Sequence, residues 1–371
     1  MNIFNLDLWY SNRKFVKKIS AQFKLYFIYL VGLNSMKREL PKLNQIKKIL
    51  IRINDPIGDA IVSTPIYKEL KNVSPEIKVD LIASSRNKMI FENNPNINCI
   101  YIDKLKFQEL LKLRNNRYDI VLDLWGRLSF AFLLQVRFIN AKVNIAAATT
   151  RADAKKYFTS TKDLNFYDYI IGEDLDIHQR DRYLDFFNLF NHKMKTKRYD
   201  IYYSDKEREK AAEFLAKNIK NNIIVGINYK GSGSNNSISV EKTVSLVKKL
   251  CVEFQNVDFI IFSAPNFLHD ATQIVQAVDE KNCIVTYKTE SLYDFFALED
   301  CCDLIFSTST SALHIASALN KKIIALYPSN QEYDTFDPKT EKKFIIIRPL
   351  SKENVSEIND VEIIEAFRNL L

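Results

Sequence analysis

From residue 48 the sequence alternates short apolar, β-rich runs with stretches of helical period, and it does so in two successive rounds. The first round offers KILIRI (48–53), VDLIA (79–83), CIYI (99–102), DIVLDL (119–124) and VNIA (143–146), with a helical stretch from about Ile57 to Lys71 after the first run. The second offers NIIVGIN (222–228), VDFIIFS (257–263), CIVTY (283–287), DLIFS (303–307) and KIIALY (322–327). Near-continuous apolar runs separated by helices predict parallel strands covered on both faces. Two doubly wound α/β domains in tandem place a ligand cleft between them, at the carboxyl ends of both sheets. The expected organisation is a basic extension over 1–45, an α/β domain over 46–215, a second over 216–345 and a helical tail over 346–371. Between 150 and 220 the pattern is polar, apart from a helical apolar spacing after His178.

Charge is unevenly placed. The 371 residues carry 53 Lys+Arg against 45 Asp+Glu, a balance of +8. Ten of those basic residues and only two acidic ones, Asp7 and Glu39, fall in residues 1–50, so the other 321 residues are neutral. A nucleic-acid-binding surface along the body is therefore excluded. The extension interleaves Lys14, Lys17, Lys18 and Lys24 with Phe15, Phe23, Tyr26, Phe27 and Tyr29. Its uncharged run, 25–36, is far short of the roughly 20 residues that span a bilayer. A basic aromatic helix of this kind, over 1–36, can lie on an anionic inner-membrane surface. The alternative is a helix packed on the body with its lysines solvated.

Five widely spread cysteines and four dispersed histidines give no disulfide framework and no metal-ligand spacing. This fits a reducing cytoplasm. Asp174-Leu-Asp176 matches a short acidic metal motif only in form, and no metal or cofactor is expected.

Four loops follow strands and carry candidate chemistry. NDPIGDAIVSTP (54–65) opens a helix with Gly58 and Asp59. Gly58 allows close backbone approach, and Asp59 is placed either as a general base on a hydroxyl or as a helix-capping carboxylate. Asp123-Leu-Trp-Gly126-Arg127 offers a guanidinium for an anionic substrate, or a surface ion pair. NYKGSGSNN (228–236) places two of the chain's seven glycines among small polar side chains. It reads as a phosphate cradle of backbone N–H groups or as a flexible linker. STSTSALHIA (307–316) puts hydroxyls at a helix start, suited to a pyrophosphate, with His314 about one turn in, either as part of that site or as a hydrogen-bonded structural histidine.

Together these loops resemble glycosyltransferase family 9, the lipopolysaccharide heptosyltransferases, over roughly residues 46–345. ILIRINDPIGDAIVSTPIYKEL is similar to the family's opening strand, Ile-Gly-Asp loop and following Thr-Pro. YDIVLDLWGRL and the stretch from SLYDFF to ALYPSN resemble two further family segments. The resemblance implies a GT-B fold and an inverting, metal-independent transfer from a nucleotide-diphosphate sugar, usually ADP-heptose, to lipid A carrying Kdo. It implies Asp59 as catalytic base, and Lys230, Gly231, Ser232, Asn236, Ser309, Thr310, Ser311 and His314 on the donor side. Gly58, Thr64, Gly126 and Arg127 would fall on the acceptor side.

The sequence departs from the family pattern twice. Ser309 stands where many members have Asp, and Asn236 and Ile238 stand where many carry Lys/Arg-x-Trp. Lys230 is the nearest replacement cation. The alternative function is a non-catalytic protein of the same fold that binds a nucleotide sugar or scaffolds an envelope complex.

Overall fold

The computed structural model describes residues 38–53, 56–124, 130–148, 167–221, 223–231, 233–278, 284–328, 335–350 and 354–371. The basic extension before residue 38, Gly126, Arg127 and Ser232 lie outside these ranges.

The first lobe runs β1 (Lys48–Arg52), α1 (Ile57–Val62), α2 (Pro65–Val73), β2 (Lys78–Ala83), α3 (Met89–Glu92), β3 (Cys99–Ile102), α4 (Phe107–Asn115), β4 (Ile120–Asp123), α5 (Phe130–Ile139), β5 (Val143–Ala147), β6 (Tyr169–Ile171) and α6 (Gln179–Asn188). The second runs α7 (Asp205–Asn218), β7 (Ile223–Asn228), α8 (Val240–Glu253), β8 (Val257–Ile261), α9 (Leu268–Val278), β9 (Ile284–Thr286), α10 (Leu292–Asp300), β10 (Leu304–Thr308), α11 (Ser311–Ala318), β11 (Lys322–Leu326), β12 (Phe344–Ile347) and α12 (Asp360–Leu370).

Each lobe holds a six-stranded sheet, ordered β3-β2-β1-β4-β5-β6 in the first and β12-β11-β10-β7-β8-β9 in the second. The pairs are parallel throughout. Read from β7, the second order repeats the first strand for strand. The chain therefore reverses direction across the sheet between β1 and β4 in one lobe and between β7 and β10 in the other. Ligands of open α/β sheets bind outside the carboxyl ends of strands at such switch points. All four loops singled out from the sequence leave these four strands.

Packing explains the elements. Ile49, Leu50 and Ile51 of β1 are fully buried, because helices cover both sides of the sheet. The expected helix from Ile57 to Lys71 is two helices. Pro65 has no N–H to continue the ladder and takes the first position of α2 instead. At the break, Ser63 Oγ and Thr64 Oγ1 donate to the Ala60 and Ile61 carbonyls, both at 2.7 Å. A capping box closes the start of α10, with Ser291 accepting the Asp294 N–H and Asp294 accepting the Ser291 N–H.

The edges of the lobes differ from the expected division. α7 straddles the expected boundary at 215/216, and its Phe214 and Leu215 pack into the second lobe. β12 begins at Phe344 and pairs with β11, while α12 buries Ile363, Ala366 and Phe367 in the same lobe. β12 and α12 are thus part of the second lobe. Phe296, Ile315 and Ala318 of that lobe join the first lobe's core, so an apolar seam connects the two.

Candidate functional site between the lobes

The seam opens into a cleft of about 950 Å³. Its first-lobe wall is the opening turn of α1, with Gly58 and Asp59, and Arg86 and Met89 beyond the end of β2. Its second-lobe wall comes from the ends of β7 (Asn228, Lys230) and β10 (Ser309, Thr310, Ser311, His314), together with the start of α10 (Ser291, Phe295). The carboxylate of Asp59 and the N-terminus of α11 therefore belong to opposite walls of one space.

The second wall is pre-organised. Thr310 is the N-cap of α11, and its Oγ1 accepts from Ala312 N at 3.3 Å. Asn228 Nδ2 donates to Thr310 Oγ1 and to Ser307 Oγ, each at 2.9 Å, which ties the end of β7 to the β10–α11 turn. An anion placed there meets the positive end of the helix dipole.

His314 sits one turn inside α11 and is 7% exposed. Burial lowers its pKa to about 4, so the ring is neutral at pH 7. It can donate a hydrogen bond to a phosphate but adds no charge. Its Nδ1 has no hydrogen-bond partner among the described residues. A Cβ built on Gly58 would fall 2.8 Å from His314 Cδ2, so glycine is what lets α1 approach α11 this closely.

The 228–238 loop differs from the cradle expected of it. Gly231 N donates to Ser237 Oγ at 3.0 Å, so that N–H is already occupied. A Cβ on Gly231 would lie 1.9 Å from Asn236 O, so the glycine serves a tight fold-back of the loop. Asn236 is 3% exposed and does not line the cleft; its Nδ2 donates to Ser309 O at 2.5 Å. Of this loop's expected donor contacts, Lys230 reaches the cleft. Its Nζ lies 3.8 Å from Asp270 and 5.0 Å above the Phe267 ring.

Thr64 is also corrected. It is fully buried and outside the cleft, with its Oγ1 accepting from Asp200 N at 2.9 Å. The reason is Pro65, which turns the chain there and leaves the hydroxyl to satisfy backbone groups. At the carboxyl ends of β1 and β4, Arg52 Nη1 and Asp123 Oδ1 form a buried ion pair at 3.4 Å, and Tyr167 donates to Asp123 Oδ2 at 2.8 Å. Asp174 accepts the Asp176 N–H at 3.1 Å within its own turn.

Sequence reasoning missed Arg86, Thr289, Ser291 and the Phe262–Phe295 pair, whose rings are 5.0 Å apart at the cleft. Arg86 is exposed and lies just past the carboxyl end of β2. The rule that ligands gather at those ends points to it, although no motif does.

Comparison with known proteins agrees with this geometry. The family model described as glycosyltransferase family 9 (heptosyltransferase) matches residues 108–362. A lipopolysaccharide heptosyltransferase 1 from Campylobacter coli is 23% identical over 354 residues, covering 87% of this chain and 98% of its own. The glycosyl transferase family 9 structure from Veillonella parvula has a TM-score of 0.68 at 17% identity, covering 91% of this chain and 99% of that one. The Escherichia coli ADP-heptose lps heptosyltransferase II has a TM-score of 0.67 at 17% identity, covering 87% and 98%. Two doubly wound lobes facing a cleft are the GT-B arrangement, and the chain belongs to glycosyltransferase family 9 as a heptosyltransferase-like glycosyltransferase.

Proposed function

We propose that this enzyme transfers heptose from ADP-heptose to a hydroxyl of an inner-core lipopolysaccharide acceptor, with inversion and without a metal. The observation that carries the reading is that Asp59 of the first lobe and the N-terminal residues of α11 of the second line one cleft. The acceptor hydroxyl attacks the anomeric carbon, the bond from that carbon to the diphosphate oxygen breaks, and the hydroxyl proton passes to Asp59. Attack opposite the leaving group inverts the anomeric centre. Charge developing on the departing diphosphate is met by the α11 dipole, by Thr310 and Ser311, by a hydrogen bond from neutral His314, and by Lys230. Ser309 and Asn236 supply no cation, which leaves Lys230 and Arg86 as the described cationic side chains lining the cleft.

Two observations support the choice of donor and place. The Escherichia coli structural neighbour is named for ADP-heptose. Among the described residues no helix is long and apolar enough to cross a membrane, and the reading has residues 1–36 hold the enzyme on the cytoplasmic face of the inner membrane. The test is ADP release from ADP-heptose in the presence of Kdo-bearing lipid A. Release that depends on acceptor supports transfer. Donor binding with no release from any sugar nucleotide would instead select the non-catalytic alternative.

A further inference from the structure

α4 is held to the first lobe by Leu113, which is fully buried, yet its opposite side carries Phe107 at 66% exposure and Leu111 at 37%. These two are four residues apart and share one helical face. The Phe107 ring lies 6.0 Å from Phe138 of α5, and the Arg114 guanidinium sits 5.2 Å above that same Phe138 ring. Exposed Lys104, Lys106, Lys112 and Arg117 surround this apolar ridge. Arg117 adopts φ +52°, where glycine or asparagine is less strained. Two carboxylates nearby are already engaged. Glu109 accepts from Lys106 N, and Asp119 pairs with Lys142 and accepts from Lys47 and Lys48 N.

The ridge adjoins a hollow of about 620 Å³ lined by Arg114, Arg117, Asn140 and Lys142. The chain enters the body at the same place. Arg38 donates to the Ala141 carbonyl at 2.7 Å and pairs with Asp168 at 2.9 Å, next to Lys142. Residues 1–37, which precede Arg38 in the chain, carry six further basic side chains and a single acidic one, Asp7.

We infer that the α4–α5 side of the first lobe is a second membrane-contacting surface, with Phe107 and Leu111 entering the headgroup region of an anionic bilayer and the surrounding cations meeting lipid phosphates. An apolar ridge framed by lysine and arginine is the composition that lies on such surfaces. Each basic residue near the surface strengthens attachment roughly fivefold. α4 runs antiparallel to the strands, so Phe107 is at the cleft end of the lobe. A bilayer against this side presents a lipid-borne acceptor to the Arg86 and Asp59 wall. That last consequence rests on the functional reading above, whereas the contact itself does not.

The test uses the full chain and vesicles of phosphatidylglycerol and phosphatidylcholine. Phe107→Trp should gain fluorescence quenching by brominated phosphatidylglycerol beyond that of the parent chain. Phe107→Ser with Leu111→Ser should weaken vesicle binding about tenfold, and separately Lys112→Glu with Arg117→Glu should weaken it at least about 25-fold. Transfer to a soluble acceptor fragment should stay unchanged in both. No added quenching at residue 107, or unchanged vesicle affinity in both double variants, overturns the proposal. Self-association that is lost in the serine variant while vesicle binding persists assigns the ridge to a second copy and overturns it too. Because vesicle binding is read without turnover, failure of the transferase reading leaves this result interpretable.

Discussion

His314 is enclosed by Gly58 from the other lobe, by Tyr199 at 6.5 Å between ring centroids and by Phe336 at 6.2 Å. Enclosure makes its protonation a stability term. Its folded pKa of about 4 lies below the ordinary 6.5, so between these values the unfolded chain binds the extra proton. The contribution is therefore fully present above about pH 6.5 and is lost as pH falls toward 4, by up to roughly 3 kcal/mol. His178, lowered to about 3 chiefly by burial, acts in the same direction. Glu299 acts in the opposite one: it is fully buried, its pKa is raised by desolvation, and it favours the fold at low pH. The His314 effect is read by difference. Urea unfolding from pH 4.5 to 7 should show a shallower rise of stability with pH in His314→Gln than in the parent, and equal slopes would contradict the assignment. Gly58 makes a second residue-scale claim. Gly58→Ala drives a methyl into the buried imidazole and should cost about 1–3 kcal/mol, seen as a lowered Tm together with weakened donor binding. An unchanged Tm would mean that the α1–α11 approach is not tight.

Elements decide how much of the site could be read from the sequence. β1, β4, β7 and β10 are central strands buried on both faces, so their apolar runs stand out and the loops they launch are easy to find. What those loops do is harder to read. Gly231 and Asn236 look like anion ligands in one dimension, but in three Gly231 N donates to Ser237 Oγ and Asn236 Nδ2 to the Ser309 carbonyl. β12 was hidden for a different reason. Its FIII run is as apolar as any other, but residues 328–343 carry no helical period, so nothing announces the crossover that a parallel neighbour of β11 requires. β6 spans only Tyr169–Ile171 and is too short to show alternation. Arg52 and Asp123 join the two strands that flank the first switch point, with side chains 4% and 1% exposed. Arg52→Leu leaves a buried carboxylate without that cation and should cost about 3–5 kcal/mol in urea unfolding. Adding Asp123→Leu should return much of the loss, and a double variant no better than the single would argue against the pair.

At the scale of the whole molecule, the two lobes repeat one strand order but contribute unlike chemistry. The first lobe brings a carboxylate and Arg86, and the second brings a helix N-terminus, hydroxyls and a neutral imidazole. Their spacing is held by the apolar seam and by Tyr293 Oη of α10, which lies 2.9 Å from the Met89 carbonyl and 3.1 Å from Glu92 Oε2 of α3. The net charge of +8 belongs to residues 1–50 and the rest of the chain is neutral, so binding in the cleft rests on local groups. The most direct test of the division between walls is single-turnover transfer from ADP-heptose by Asp59→Asn, measured beside donor affinity. The account predicts a loss of transfer of at least about a hundredfold, with ADP-heptose affinity within about twofold of the parent. Transfer near the parent rate, or donor affinity that falls in step with it, would contradict the assignment of Asp59 as the base acting from the acceptor wall.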